Sequence, residues 1–418
     1  MGGSVPPMTK RNFLTLDDIT IANKRVLVRM DLNVPMSKGR VTDNTRVVRL
    51  LPTLHELIKK KARIIVMSHL GRPKGRYDTD LSLAPLVDAL AAVLPGVTIK
   101  FGVDCVGREA ETAADELKPG EILLLENLRF HEGEEANDPE FSAALAKLGE
   151  VYINDAFSSS HRSHASVVGI TKYLPFAAGR LMEEELNNIE QYFTKPERPF
   201  TAVVGGAKVS TKLSLLESLI EKVDNLIIGG AMANTFCFAQ GASVGKSLYE
   251  KDLKETAVRI LKQAKAKGCA IHLPVDAVVA ENFAAHAVSD VVDFSRIPKD
   301  AMVLDVGPET IACFSSVLKN SKTILWNGPL GAFETNPFDV STVSLARVAA
   351  SLTSAGKLKS IAGGGDTVAA MTYSGLAERF SYLSTAGGAF LEWLEGKELP
   401  GVKALENNKS AASAKKIV

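Results

Sequence analysis

Thr201-Ala-Val-Val-Gly-Gly-Ala-Lys-Val-Ser-Thr-Lys212 is a short apolar run rich in β-branched residues, then two glycines, then two lysines four residues apart. The apolar run predicts a buried strand, and the glycines allow a turn in which backbone N–H groups approach an anion closely. The spacing of Lys208 and Lys212 predicts that both lie on one helical face near a helix N-terminus. A strand, a glycine-bearing turn and a helix make a βα unit, the element from which parallel sheets are assembled.

The same unit recurs in both directions. Before it lie Arg25-Val-Leu-Val-Arg29, Arg63-Ile-Ile-Val-Met67, Glu121-Ile-Leu-Leu-Leu125 and Val151-Tyr-Ile-Asn154; after it lie Asn225-Leu-Ile-Ile228, Ala270-Ile-His-Leu273, Thr323-Ile-Leu-Trp326 and Ser360-Ile-Ala362. No fixed period links them, which argues against a solenoid. A chain of 418 residues exceeds what one core fills, so two domains are expected. Between the two strand sets, Leu181 to Phe193 is a charged helix-forming stretch closed by Thr-Lys-Pro-Glu-Arg-Pro at 194–199. The fold class is therefore α/β, with two doubly wound, Rossmann-like parallel-sheet domains joined by an interdomain helix and hinge. The boundaries are 1–180, 181–199, 200–395 and a C-terminal segment, 396–418, whose Ser/Ala/Lys stretch from Asn407 reads as a flexible tail.

Composition narrows the partners. Hydrophobic residues make up 46% and charged residues 23%, an ordinary globular balance, and 49 basic against 48 acidic residues leave a net charge of +1. So small a charge gives no global field for nucleic acid or an anionic membrane, so any anion site must be local. No apolar run approaches a membrane span, and the N-terminus lacks the apolar core of a signal peptide. Cys105, Cys237, Cys269 and Cys313 are scattered without a CxxC pair, which suggests neither a disulfide framework nor a zinc cluster. A reducing, cytoplasmic setting is expected.

Ligands of open α/β sheets sit beyond the carboxyl ends of the strands. The first half places Asp31, Asn33, Arg46, His69, Arg72, Arg129, His161, Arg162 and His164 on segments that follow its strands. One arginine alone would be a solvated surface charge. Several at successive strand ends suit a small ligand with more than one carboxylate or phosphate, because guanidinium forks grip such groups bidentately. His161-x-x-His164 lacks a third ligand at a metal-binding spacing. The second half places Gly205-Gly206, Gly229-Gly230, Gly307-Pro308, Gly328-Pro329 and Gly363-Gly364-Gly365 there, a pattern suited to phosphates at helix N-termini. Asp366 can be read as a helix N-cap or as a carboxylate linked to Mg²⁺. Gly241 to Ser247 mimics a Walker A loop but is one residue short and reads as a solvent loop, and the absence of GxGxxG disfavours a dinucleotide oxidoreductase.

These residues resemble the phosphoglycerate kinase family. The matching stretches are Arg29-Met-Asp31-Leu-Asn33-Val-Pro35, Thr42 to Arg46, Ser68-His-Leu-Gly-Arg-Pro73, Glu126 to Phe130, Asn154-Asp-Ala-Phe157 and His161-Arg-Ser-His-Ala-Ser166. Gly205 to Ser210, Gly229 to Phe236, Asp305-Val-Gly-Pro308, Trp326-Asn-Gly-Pro-Leu-Gly331, Gly363-Gly-Gly-Asp-Thr367 and Ser384 to Gly388 follow in family order. The resemblance implies reversible phosphoryl transfer from 1,3-bisphosphoglycerate to MgADP, giving 3-phosphoglycerate and ATP, by in-line transfer after domain closure. It implies a glycerate site of Asp31, Asn33, Arg46, His69, Arg72, Arg129, His161 and Arg162. It implies a nucleotide site of Gly206, Ala207, Lys208, Lys212, Gly230, Asn327, Glu334, Gly363, Asp366 and Thr367, with Glu334 on the ribose and Asp366 linked to Mg²⁺. Arg46 and Lys208, helped by backbone N–H groups at Gly364, Gly365, Gly387 and Gly388, would stabilise the transferring group. The segment near Glu398 would return to the first domain, and a monomer acting on small molecules is expected. Ser158-Ser-Ser160, Ala231 and Ala386 depart from residues common in the family.

Overall fold

The computed structural model describes residues 12–415, with side chains through residue 408. The apolar runs form the central strands of two parallel sheets, where residues pointing to either face are buried except at the strand starts.

The chain divides into two compact units, one of Met1–Asn187 with Glu398–Val418 and the other of Asn188–Lys397. In the first, six parallel strands run in the spatial order Ile99–Gly102, Ile122–Leu125, Arg63–Met67, Arg25–Arg29, Val151–Asn154, Phe176–Ala178. Val26, Val28, Ile64, Val66, Ile122 and Leu124 fill one face against Leu54 and Leu57 of helix Leu51–Lys59 and Leu86 and Leu90 of helix Leu86–Val93. Each such side chain contributes roughly 1.5–3 kcal/mol through burial. From Arg25–Arg29 the chain crosses to one side, and later from Ile122–Leu125 to the other. The winding therefore reverses between Arg25–Arg29 and Val151–Asn154, where a ligand crevice is expected.

The second unit has six parallel strands in the order Ala270–His272, Asn225–Ile228, Phe200–Val204, Thr323–Asn327, Lys359–Gly363, Tyr382–Ser384. Its reversal lies between Phe200–Val204 and Thr323–Asn327, the strand pair that leads into Gly205 and Gly328. Val203, Ile324 and Trp326 pack with Phe314 and Leu345 from helices Pro308–Asn320 and Val340–Ser354. The doubly wound, parallel-sheet reading thus holds in both units.

Three details differ from the sequence expectation. An antiparallel sheet of Ser289–Asp293, Asp276–Ala280 and Met302–Val306 stands beside the second parallel sheet. The Gly241–Ser247 segment is not a solvent loop: Val244 joins a core with Ala277 and Phe294, and Ser247 Oγ accepts the Val303 N–H at 2.8 Å. Lys208 and Lys212 do not share a helical face. Val209 is buried and keeps the segment a loop, so the helix begins only at Leu213.

The charged stretch after residue 180 is an α-helix, Arg180–Ile189, followed by a π-helical turn, Glu190–Thr194. The division between units falls inside it. From Pro400 the chain is helical to Lys415, with Gly401 N–H donating to Ser160 O at 2.9 Å and Asn408 Nδ2 to Phe176 O at 2.5 Å. The tail expected to be flexible from Asn407 coincides with the end of this helix, and residues 416–418 lie outside the described residues.

Candidate functional site

In the first unit Asp31 follows strand Arg25–Arg29 and gathers its neighbours. Its Oδ2 accepts from Arg46 at 2.8 Å and from Ser158 Oγ at 2.6 Å, and its Oδ1 accepts the Asn33 N–H at 3.0 Å. Arg46 also donates to Asn33 O at 3.1 Å, and Asn33 Oδ1 accepts the Gly71 N–H at 3.0 Å. Arg129 donates to Gly71 O at 2.9 Å and pairs with Glu135 at 3.3 Å. Burial is the largest influence on Arg129, lowering its pKa, and the charges of Arg29 and Arg72 act in the same direction.

Arg29 is a residue the sequence reading did not single out. Fully buried, it donates to Met30 O at 2.5 Å, Ser166 Oγ at 3.1 Å, Ser159 Oγ at 3.4 Å and His69 Nδ1 at 2.9 Å. A guanidinium can only donate, so His69 Nδ1 accepts and the proton of the neutral ring sits on Nε2. Burial first, then the charges of Arg29, Arg129, His164 and Arg46, hold His69 well below its ordinary pKa. His69 is therefore a neutral N–H donor within a cationic rim. Below it, buried Glu134 accepts from Ser166 N and Oγ at 2.9 and 2.6 Å and pairs with His164 Nδ1 at 3.6 Å. The one available signal for Arg29 was an arginine closing an apolar strand.

The structure thus joins Asp31, Asn33, Arg46, His69, His164 and Arg129, with Arg72 electrostatically coupled to Arg129. His161 is half-buried and Arg162 exposed on the loop after Val151–Asn154. The Arg162 side chain takes no part in the network just described. Ser158, a departure from the family pattern, supplies a hydroxyl to Asp31 that a glycine there could not.

In the second unit the rim is built from backbone. Gly230 has φ 68, and a Cβ there would stand 2.6 Å from both the N and O of Gly206, so only glycine lets these two turns meet. Gly230 N–H donates to Leu330 O and Met232 N–H to Gly206 O, each at 2.9 Å. Gly230, Gly364 and Gly387 hold the N-cap positions of helices Ala231–Ala239, Gly365–Tyr373 and Gly388–Leu394, so three helix N-termini begin at glycine turns. Asn327 Nδ2 donates to Gly363 O at 2.7 Å, and Gly328 N–H to Thr367 Oγ1 at 2.7 Å.

Lys212 Nζ donates to Gly205 O at 2.6 Å, Asn327 Oδ1 at 2.6 Å and Asn327 O at 3.1 Å. Burial lowers its pKa to about 8 against the opposing charge of Asp366. Lys208 is exposed. Asp366 lies in the first turn of its helix but does not cap it, since Gly364 holds that position, so the N-cap reading is excluded. Beside these turns is an apolar cavity of about 380 Å³ lined by Gly206, Ala207, Leu248, Met302, Leu330 and Asp366 among others. Its size and apolar walls suit a flat base. One wall is the antiparallel sheet absent from the sequence reading, and exposed Glu334 lies two residues beyond Ala332 of the lining.

Comparison with known proteins agrees with this geometry. The profile of the family described as phosphoglycerate kinase matches residues 16–397. A phosphoglycerate kinase of Cereibacter sphaeroides is 58% identical over 391 residues, covering 94% of this chain and 98% of that protein. One of Methylorubrum extorquens is 56% identical over 395 residues, covering 94% and 98%. The solved structure of phosphoglycerate kinase from Coxiella burnetii superposes with a TM-score of 0.86 at 41% identity, covering 94% of this chain and 99% of that one. Likeness of this extent, in sequence and in fold, makes the chain a member of the phosphoglycerate kinase family.

Proposed function

We propose that this chain, a phosphotransferase by family, carries out reversible phosphoryl transfer between 1,3-bisphosphoglycerate and MgADP, with the glycerate on the arginine and histidine rim and the nucleotide in the apolar cavity. The observation that carries the assignment of ligands is the contrast in chemistry. Converging guanidinium and imidazole groups suit a small, multiply charged acid, whereas an apolar slot edged by helix N-termini suits a base with phosphates.

The nucleophile, a carboxylate or a diphosphate oxygen, is already anionic, so no general base is required. Arg46 and Lys208 would meet the charge on the transferring group, aided by N–H groups at Gly364, Gly365, Gly387 and Gly388. His69 would donate through Nε2, Arg72, Arg129, His161 and Arg162 would anchor the acid, and Asp31 and Asn33 would bind its hydroxyl. Glu334 would accept from the ribose hydroxyls. In-line transfer also requires closure of the units around both ligands, to exclude water from the acyl phosphate.

Exposed Asp366, beside the cavity and free of a capping duty, suits Mg²⁺, which commonly takes one protein carboxylate together with phosphate oxygens. Bound there, the ion would neutralise charge on the nucleotide phosphates. We infer a monomer in the cytoplasm; a net charge of +1 gives no field for an anionic membrane surface, and no helix among the described residues is long and apolar enough to cross a membrane. A coupled assay for 3-phosphoglycerate-dependent consumption of MgATP tests the function: turnover is expected, and well-folded protein without turnover would refute it.

A further inference from the structure

Asp104 and Cys105 follow edge strand Ile99–Gly102, and His131 follows the neighbouring strand Ile122–Leu125 by way of the turn Leu128–Phe130. A carboxylate oxygen of Asp104, the Cys105 sulfur and a His131 ring nitrogen all lie within 4.8 Å of one another. His131 Nε2 is 2.7 Å from Asp104 Oδ1, and its ring stacks on Phe141 with centroids 5.2 Å apart. We propose that this trio is a binding site for a zinc-class divalent cation, with three protein ligands and solvent in the fourth position.

The donor set is selective. Thiolate, imidazole and carboxylate together suit zinc and its softer relatives, whereas magnesium and calcium prefer oxygen alone. Metal–ligand bonds of 2.0–2.3 Å place tetrahedral donors roughly 3.2–3.8 Å apart, so the Asp104–His131 pair at 2.7 Å must open by about 0.5–1 Å while any edge near 4.8 Å closes by about 1 Å or more. Side-chain rotation can supply that, because Asp104 and His131 are partly exposed while Cys105 forms a buried floor. The exposed pair also gives the ion a way in. Buried Glu134 nearby adds negative potential, and the Phe141 ring restrains the imidazole plane.

Two plainer readings explain less. A surface Asp–His pair leaves the buried sulfur beside it without a part. A reactive thiol is disfavoured, because the Cys105 side chain is buried and out of reach of a solvent-borne reagent. His131 is two residues beyond Arg129 and immediately precedes the short helix Glu132–Glu135, whose Glu135 pairs with Arg129. A bound ion would fix this segment and so reach the glycerate rim.

The test uses the full chain carrying Cys313→Ser, which removes the exposed thiol, with Co²⁺ as the probe. One equivalent of Co²⁺ is expected to give thiolate-to-cobalt absorption in the near ultraviolet, and Zn²⁺ to displace it. Cys105→Ser should abolish that absorption. Asp104→Asn and His131→Gln, at partly exposed positions, should each weaken binding at least ~10-fold even if the buried substitution fails to fold. A folded chain without thiolate absorption, absorption that survives Cys105→Ser, or His131→Gln binding Co²⁺ as tightly as its parent would each overturn the site.

Discussion

The two parallel sheets reverse their winding in the same manner but present opposite chemistry at the reversal. In the first unit the strand ends present charged and polar side chains, and a buried guanidinium sets the tautomer of His69 while Asp31 holds Arg46. In the second they present backbone at glycine turns, and the partly buried cation Lys212 is occupied by carbonyl oxygens. On the proposed assignment, a small acid offers little beyond its charges, so forks would converge on it from several strand ends. On that assignment, a nucleotide with its large flat base would be oriented by the apolar slot, and N–H groups would need only to receive its phosphates.

Substitutions in the two rims should therefore fail in different ways. Arg46→Ala should lower kcat by on the order of 10² or more with a modest change in substrate binding, as for a donor used mainly in the transition state. Steady-state kinetics with near-normal kcat would remove Arg46 from the chemistry. Gly230→Ala should destabilise the second unit by on the order of 2 kcal/mol, because it combines a positive φ with a Cβ too close to Gly206. Its KM for nucleotide should rise while that for glycerate holds, and equal rises in both would break the contrast. Arg162→Ala should raise the KM for 3-phosphoglycerate about ten-fold; a change confined to nucleotide KM would reverse the assignment of ligands.

The units share one device, a buried aspartate anchoring the start of a helix. Asp155 accepts the N–H groups of Leu181 and Met182 at 2.9 and 3.1 Å, and Asp305 accepts the Ser341 N–H at 3.0 Å and its hydroxyl. Burial pushes each up to about 7. Because the folded state holds these protons more tightly than the unfolded chain, their contribution is full below about pH 4 and is lost as pH rises through 7. Each should add a downward slope of stability with pH of up to about 1.4 kcal/mol per unit in that window. Asp155→Asn and Asp305→Asn should flatten it in denaturation curves, and an unchanged slope would contradict the raised values. Ser158→Gly should have the smallest effect: loss of one hydrogen bond to Asp31, worth roughly 1 kcal/mol, and a few-fold change in glycerate KM. If that KM is unaltered, the serine is incidental to the rim.

Much of this was legible before folding. Strands such as Arg63-Ile-Ile-Val-Met67 are buried on both faces and so stand out as unbroken apolar runs, and the residues after them fall at the strand ends. Met302–Val306 and Ser289–Asp293 escaped notice because they are partly exposed over much of their length and broken by aspartates, Asp305 in one and Asp290 and Asp293 in the other. The i,i+4 spacing of Lys208 and Lys212 misled because buried Val209 between them anchors a loop.

By itself the sequence determined the two parallel sheets, the strand-end positions of the arginines, histidines and glycines, and the family, since each is written in local periodicity or in contiguous motifs. Only the tertiary structure decided that Arg29 orients His69, that Lys212 is tied to Asn327, and that Asp104, Cys105 and His131 meet. Those relations depend on which strands become neighbours and how far each side chain reaches, and neither is encoded in the spacing of residues along the chain.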